Sequence, residues 1–297
     1  YRVPGIERLN KPVSMINLGP TPIDLIGYYR DIGLEAYMAH DFDEYNRLLT
    51  YLQVRKAVAN TKILILSNAE QTPASVNTSC CDLVKLFTRY GIRNNRIDFR
   101  QVFKYFDEIQ ADESLHQEAR ALLDGAEKVE ISEEYLCNDL RYFHAVRRMM
   151  EKYDCNAFPT PCKELCASRL PQQNKCVPCM THSLNKDDRI PSACEEDLAV
   201  WMAMMMMMYL TRQSVFMGNP VLVLAGSKTL EQLGMPKLLT QPGQTFDHDV
   251  LEIHHAVPVR RMRGFDQPEQ KYEIGHFTTQ GWGAHYHVDM AEEEGQV

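Results

Sequence analysis

The sequence predicts an α/β domain with a mostly parallel sheet followed by a β-rich domain, and three observations carry that expectation. Residues 62–67, Lys-Ile-Leu-Ile-Leu-Ser, form a compact apolar run between polar residues, as a strand buried on both faces does. From there to residue 217, strand-like and helix-like segments alternate, the pattern of a parallel sheet joined by crossover helices. Past residue 219 the chain breaks into short strand-like pieces punctuated by Gly, Pro and Gln. Three parts follow: 1–60 as the end of an α/β segment, 61–218 as the sheet domain, and 219–297 as the β-rich domain.

Taken in order, residues 12–16 read as a short strand and Ile23–Leu52 as broadly helical. Asp82–Tyr90 has apolar residues spaced by three and four, with Asp at its start and Gly91 past its end, a capped helix. Further helix is expected over Ile97–Ile109 and Glu113–Leu123. A longer one over Glu133–Tyr153 lines up Leu136, Leu140, Phe143, Val146 and Met150 on one stripe. A short strand at Cys155–Phe158 follows. In the last part, strands are expected at Val221–Leu224, Val250–Val257, Lys271–Phe277 and His285–Met290, with a long loop over Gly226–His248.

Composition narrows the function classes. The 297 residues are 44% hydrophobic and carry 32 Lys+Arg against 40 Asp+Glu, a net charge of −8. Such a chain buries a sizeable core, and its acidic balance argues against nucleic acid as a partner, because that contact needs clustered cations. The most apolar run, Leu198–Leu210, is shorter than the roughly 20 residues that span a bilayer, so it reads as a buried helix and no membrane partner is expected. Its Met204–Met208 stretch is adaptable core filling. The chain opens without a charged-then-apolar leader, and its nine cysteines are an odd number, so a cytoplasmic location is expected. Asn77-Thr78-Ser79 is then a coincidental glycosylation match.

The densest chemistry lies in Cys176–Pro220. There Cys194 leads into Glu195-Glu196-Asp197, three carboxylates opening an apolar helix. Acids in a first turn are stabilised by the free N–H groups and the helix dipole. At the carboxyl end of a sheet, the same carboxylate can also ligate a metal or move a proton. Residues 216–220 read as a strand stopping at a Gly-Asn-Pro turn that presents the Asn219 amide. His254 and His255 are adjacent on an expected strand, so only one of them can face a given site. Cys162, Cys166, Cys176 and Cys179 form two close pairs that could hold zinc. The chain carries no nucleophile elbow, Walker loop or dinucleotide fingerprint.

The run CVPC…HSLNKDDRIPSACEEDL…YLT…FMGN…EIHHAVP resembles the L-fucose isomerase and L-arabinose isomerase superfamily, in particular its shorter members. The resemblance in motif order runs from about residue 60 to the end. It implies a Rossmann-like sheet domain followed by a barrel-like C-terminal domain, with further α/β structure before this segment and more β structure after Val297. It also implies a homo-oligomer, a monosaccharide substrate and Mn²⁺ or another hard divalent cation.

Residue by residue, Glu195 matches the family's helix-start glutamate, in a Glu-x-Asp pattern completed by Asp197. Asn219 stands where the family has an acid, and His254 matches the strand histidine. Glu195 and Asn219 are thus the catalytic candidates, and Glu195, Asn219 and His254 the metal ligands. Trp282, His285 and His182 are candidates for lining the sugar, with His276 a weaker one. The implied reaction is aldose–ketose isomerisation through a cis-enediolate, of a pentose or deoxyhexose. Because Asn219 carries no charge and cannot act as a carboxylate base, a sugar-binding or regulatory homologue without catalysis is the first alternative. A zinc protein built on the cysteine pairs is the second.

Overall fold

A computed structural model of the chain describes residues 5–17, 19–67, 82–223, 225 and 247–288. The Asn77-Thr78-Ser79 match and nearly all of the loop expected over 226–248 lie outside them. The chain divides into two compact units, residues 1–59 and 60–297.

In the first unit a 3-10 turn, Ile6–Leu9, precedes strand β1 (Val13–Ile16), helix α1 (Pro20–Asp31), strand β2 (Ala36–Ala39) and helix α2 (Phe42–Ala59). β1 and β2 pair in parallel, Val13 opposite Ala36. Val13, Ile26, Tyr29 and Ala36 form the core of this unit. The helix expected over Ile23–Leu52 is therefore two helices with a strand between them. β2 is only four residues, Ala-Tyr-Met-Ala, too short and too rich in helix formers to signal itself.

The second unit is built on four parallel strands: β3 (Lys62–Ser67), β4 (Arg93–Asp98), β6 (Phe158–Pro159) and β7 (Ser192–Ala193). β3 pairs with β4, β6 pairs with β7, and an Ile63–Ala157 bridge joins the two pairs, with Leu64 N–H donating to Ala157 O at 2.9 Å. The spatial order is β4-β3-β6-β7. β3 is the strand its apolar run announced: Leu64 and Leu66 pack into a core with Phe103, Tyr142, Val146 and Phe158. Ile63 and Ile65, which turn to the other face, are equally buried.

Helix α3 (Leu83–Tyr90) is capped as expected, Asp82 accepting from the N–H groups of Val84 and Lys85 and Gly91 closing it at φ 79°. Helices α4 (Phe99–Glu108), α5 (Glu113–Asp124) and α6 (Glu133–Lys152) follow. All five residues of the stripe read on α6 are buried. β4, Arg-Asn-Asn-Arg-Ile-Asp, was not expected, since polar residues fill it and its hydrogen bonds to β3 alone make it a strand.

After β6 come α7 (Cys162–Ala167), α8 (Leu170–Asn174) and α9 (Pro178–Asp187). After β7 comes α10 (Leu198–Thr211). No helix among the described residues is long and apolar enough to cross a membrane.

The strands after residue 219 belong to the same compact unit as the parallel sheet. β8 (Asn219–Val223) and β9 (Val250–His254) pair antiparallel. β10 (Tyr272–His276) lies between β11 (Ala284–Val288), antiparallel to it, and β5 (Lys128–Val129), parallel to it. That parallel pairing with β5, from the stretch before α6, ties residues 272–288 to the preceding part of the chain rather than setting them apart. No barrel closes among the described strands.

Candidate functional site

Adjacent parallel strands deliver two cysteines to one end of the sheet. Cys194 directly follows β7, and Cys162 begins α7 just past β6. The Cys194 thiol and the backbone N–H of Glu195 lie beside Cys162 and hold its pKa below the ordinary thiol value despite its burial. Burial pushes the Cys166, Cys176 and Cys179 thiols up. Cys194 is also raised, by its bond to Cys162 first and by burial second. Thiolates are the nucleophiles. Iodoacetamide at pH 7 is therefore expected to label Cys162 faster than the other six described cysteines, as read by peptide mapping; uniform labelling would contradict this bonding pattern.

The carboxylates do not open the helix as expected. α10 begins at Leu198, and Asp197 is its N-cap, accepting from the N–H groups of Ala199 and Val200 at 3.0 Å each. Glu195 and Glu196 precede the cap in left-handed conformations, φ 61° and 49°. Two successive non-glycine residues in that region cost on the order of 1–3 kcal/mol each, and such strain concentrates at functional sites. Its effect here is to divide the acids: Glu196 is fully buried, Asp197 caps, and Glu195 is half-buried. Only the third acid plays the helix-stabilising part read from the sequence.

Asn219 also differs from expectation. It opens β8 instead of ending a strand, because the β8–β9 ladder begins at the Asn219–His254 pair. Two contacts bring it beside the carboxylate: Cys194 N–H donates to Met217 Sδ at 3.3 Å, and Asn219 Nδ2 donates to Glu195 Oε1 at 3.4 Å. Three segments separated in sequence thus meet here, Glu195 touching Asn219 and Asn219 standing opposite His254 in register. The His254 side chain itself lies outside the described residues.

Beneath this cluster runs α9, of which all ten residues are buried although five are polar or charged beyond Thr181. His182 Nδ1 lies 2.8 Å from Ser192 Oγ, which in turn donates to Phe158 O at 3.0 Å. The His182 ring stacks on Phe158. Burial, with Lys186 and His255 nearby, holds its pKa well below the usual value. His182 is therefore a neutral core residue linking β6 and β7, with no face open to a sugar.

One turn on, Lys186 is fully buried and donates to Val257 O at 2.8 Å, fastening the segment that leaves β9. Asp187 next to it accepts from Arg260 Nε at 2.9 Å. α9 thus braces both the Glu195 and the His254 segments. Sequence reading passed over it because its apolar positions have no helical period. Lys186 and Asp187 meet their partners some 70 residues later in the chain.

Lys186 carries a pH signature. Burial lowers its pKa from the ordinary 10.5 to about 7. A depressed lysine pKa means that the unfolded chain binds the extra proton between pH ~7 and ~10.4, so stability rises with pH across that window. Lys186→Met is expected to remove that rise. In urea unfolding the wild type should gain about 2 kcal/mol relative to the variant between pH 7 and 8.5, at ~1.36 kcal/mol per pH unit. Parallel profiles would contradict the buried amine.

The remaining candidates lie on other elements. Trp282 is buried, its indole N–H donating to Gln280 Oε1 at 3.1 Å and its face covered by the Lys175 ammonium 5.3 Å from the ring centre. His285 is buried beside His287, and His276 Nδ1 lies 2.8 Å from Thr278 O. None of these contacts reaches Glu195 or Asn219. A cavity of about 760 Å³ lies away from the site, near the α5–α6 contact, and its lining includes polar groups that already have partners, such as His144 and Glu118 at 2.7 Å. Among the described residues, no three His, Cys, Asp or Glu side chains gather closely enough to hold a metal ion. This covers Cys162, Cys166, Cys176 and Cys179.

Compared with protein-family models the chain finds no match, and a search of curated proteins finds no significant relative.

Proposed function

We propose that the protein is a metal-dependent aldose–ketose isomerase of the L-fucose/L-arabinose isomerase type, acting on a pentose or deoxyhexose through a cis-enediolate. The observation that supports this reading best is the meeting of Glu195 and Asn219 at 3.4 Å, with Asn219 in register with His254. The donor types suit a hard cation such as Mn²⁺: a carboxylate oxygen, an amide oxygen turned toward the ion, and one imidazole. When bound, such an ion polarises the carbonyl and the neighbouring hydroxyl of the sugar.

This chain's residues do the rest. Glu195, half-buried at the sheet end, takes the carbon-bound proton and returns it to the neighbouring carbon. Asp197 is committed to its cap and Glu196 is turned into the core, so neither replaces the acid that Asn219 lacks. Asn219 orients the Glu195 oxygen through its amide. The finer features belong to the same reading: a barrel-like C-terminal domain, a homo-oligomer and a cytoplasmic location.

The neutral Asn219 favours a second reading, a homologue that binds sugar without isomerising it. One experiment separates the two. Candidate pentoses and deoxyhexoses are incubated with the protein and Mn²⁺ in D₂O, and C1 and C2 are followed by NMR. Deuterium entering either carbon supports isomerisation; sugar-dependent line broadening without exchange supports the binder.

A further inference from the structure

His285 and His287 lie two residues apart on β11 and so share one face of the sheet. Across β10 their partners are Gly275 and Glu273. Next to β10, Lys128 of β5 pairs with Glu273, and Glu130 N–H donates to Ile274 O at 2.8 Å, which sets Glu130 beside Gly275. The missing side chain at Gly275 makes the space that the imidazoles occupy: a Cβ there would come within 2.9 Å of His287 Nε2 and 3.4 Å of His285 Cε1. The two Nε2 atoms approach to 2.9 Å, and the ring centres lie 4.7 Å apart.

Two nitrogens at that separation subtend roughly 90° at an ion bound about 2.05 Å from each. That is the cis angle of a tetragonal or octahedral ion; tetrahedral coordination would need a separation of about 3.4 Å at the same bond length. His285 is 2% exposed.

We propose that His285 and His287 form a two-imidazole chelate for a divalent transition ion of tetragonal preference, Cu²⁺ or Ni²⁺ ahead of Zn²⁺. Water completes the shell, and the Glu130 carboxylate, held by Lys128 at 2.6 Å on the same face of the sheet, stays outside it. The proposal is independent of the Glu195 cluster, whose oxygen-rich donor set selects harder cations.

The test titrates the full chain at pH 7.5 with Cu²⁺ and Ni²⁺ against a competing chelator and records the electron paramagnetic resonance spectrum of the Cu²⁺ adduct. Expected are one equivalent bound, two equatorial nitrogens, and an affinity at least tenfold weaker in His287→Gln, with one nitrogen lost. Gly275→Ala, which displaces the His287 ring, should weaken binding likewise, and Glu195→Gln should leave it unchanged. Equal affinity in His287→Gln, or a Cu²⁺ spectrum in which that substitution removes no nitrogen, would overturn the proposal.

Discussion

Glu195→Gln is expected to slow solvent-deuterium exchange at C1 and C2 of the substrate by about 10³-fold, within the range that a positioned general base supplies. The amide keeps the size and the 3.4 Å contact with Asn219, so far-ultraviolet circular dichroism and the melting temperature should stay at wild-type values. The carboxylate loses both its basicity and its charge, and both binding of a hard cation and proton transfer depend on them. Glu196→Gln and Asp197→Asn are the internal controls. The first is buried and the second is a cap, so each should lower stability with little effect on exchange per folded molecule. Exchange that persists in Glu195→Gln would remove this residue from the chemistry.

The largest expected loss of stability comes from a residue that sequence reading left unremarked. Asp139 on α6 is fully buried, and its two oxygens accept from Val177 N–H and Ala284 N–H at 2.7 Å each. One carboxyl group thereby anchors both the entry to α9 and the start of β11. Asp139→Ala leaves two buried backbone donors without partners, which costs about 4 kcal/mol at ~1–3 kcal/mol per orphaned group plus the lost bonds. The melting temperature should fall by roughly 10 °C on the ~2–4 °C per kcal/mol scale of a unit of this size.

Burial raises the Asp139 pKa well above the usual carboxylate value, outweighing its two backbone bonds. A raised folded-state pKa adds stability that is complete below the unfolded value, ~3.9, and fades as pH climbs toward the folded one. The gap between wild type and variant should therefore widen on acidification. A gap that narrows would contradict the assignment.

What could be read from the sequence, and what could not, follows from where each signal resides. β3, α3 and α6 announce themselves because burial or capping is written in neighbouring residues: an apolar run, an Asp before and a Gly after, a stripe at helical spacing. β4 and α9 do not. The strand Arg93–Asp98 is polar and is defined by its partner β3, while α9 buries charges whose counterparts, such as Val257 O and Arg260, come some 70 residues later. Within the candidate site, the residue types at 195, 219 and 254 were legible as candidate ligands, and the contact of Glu195 with Asn219 and the register of Asn219 with His254 are what the structure adds. The left-handed turn at Glu195-Glu196 was not legible, because neither residue is a glycine and the contact flanking it, Cys194 N–H to Met217 Sδ, joins residues 23 apart. Trp282, His285 and His182 were legible by residue type and by their place in the chain, but burial and partner choice, which composition does not encode, carry them away from Glu195 and Asn219.

The central claim is that Glu195, Asn219 and His254 converge on one hard cation. The measurement that bears on it most directly is a Mn²⁺ titration followed by electron paramagnetic resonance, comparing the wild type with Asn219→Asp and Glu195→Gln. Restoring a carboxylate beside Glu195 should tighten Mn²⁺ binding at least tenfold, and removing the Glu195 charge should abolish it. Mn²⁺ affinity unchanged by both substitutions would show that no cation is held between these side chains.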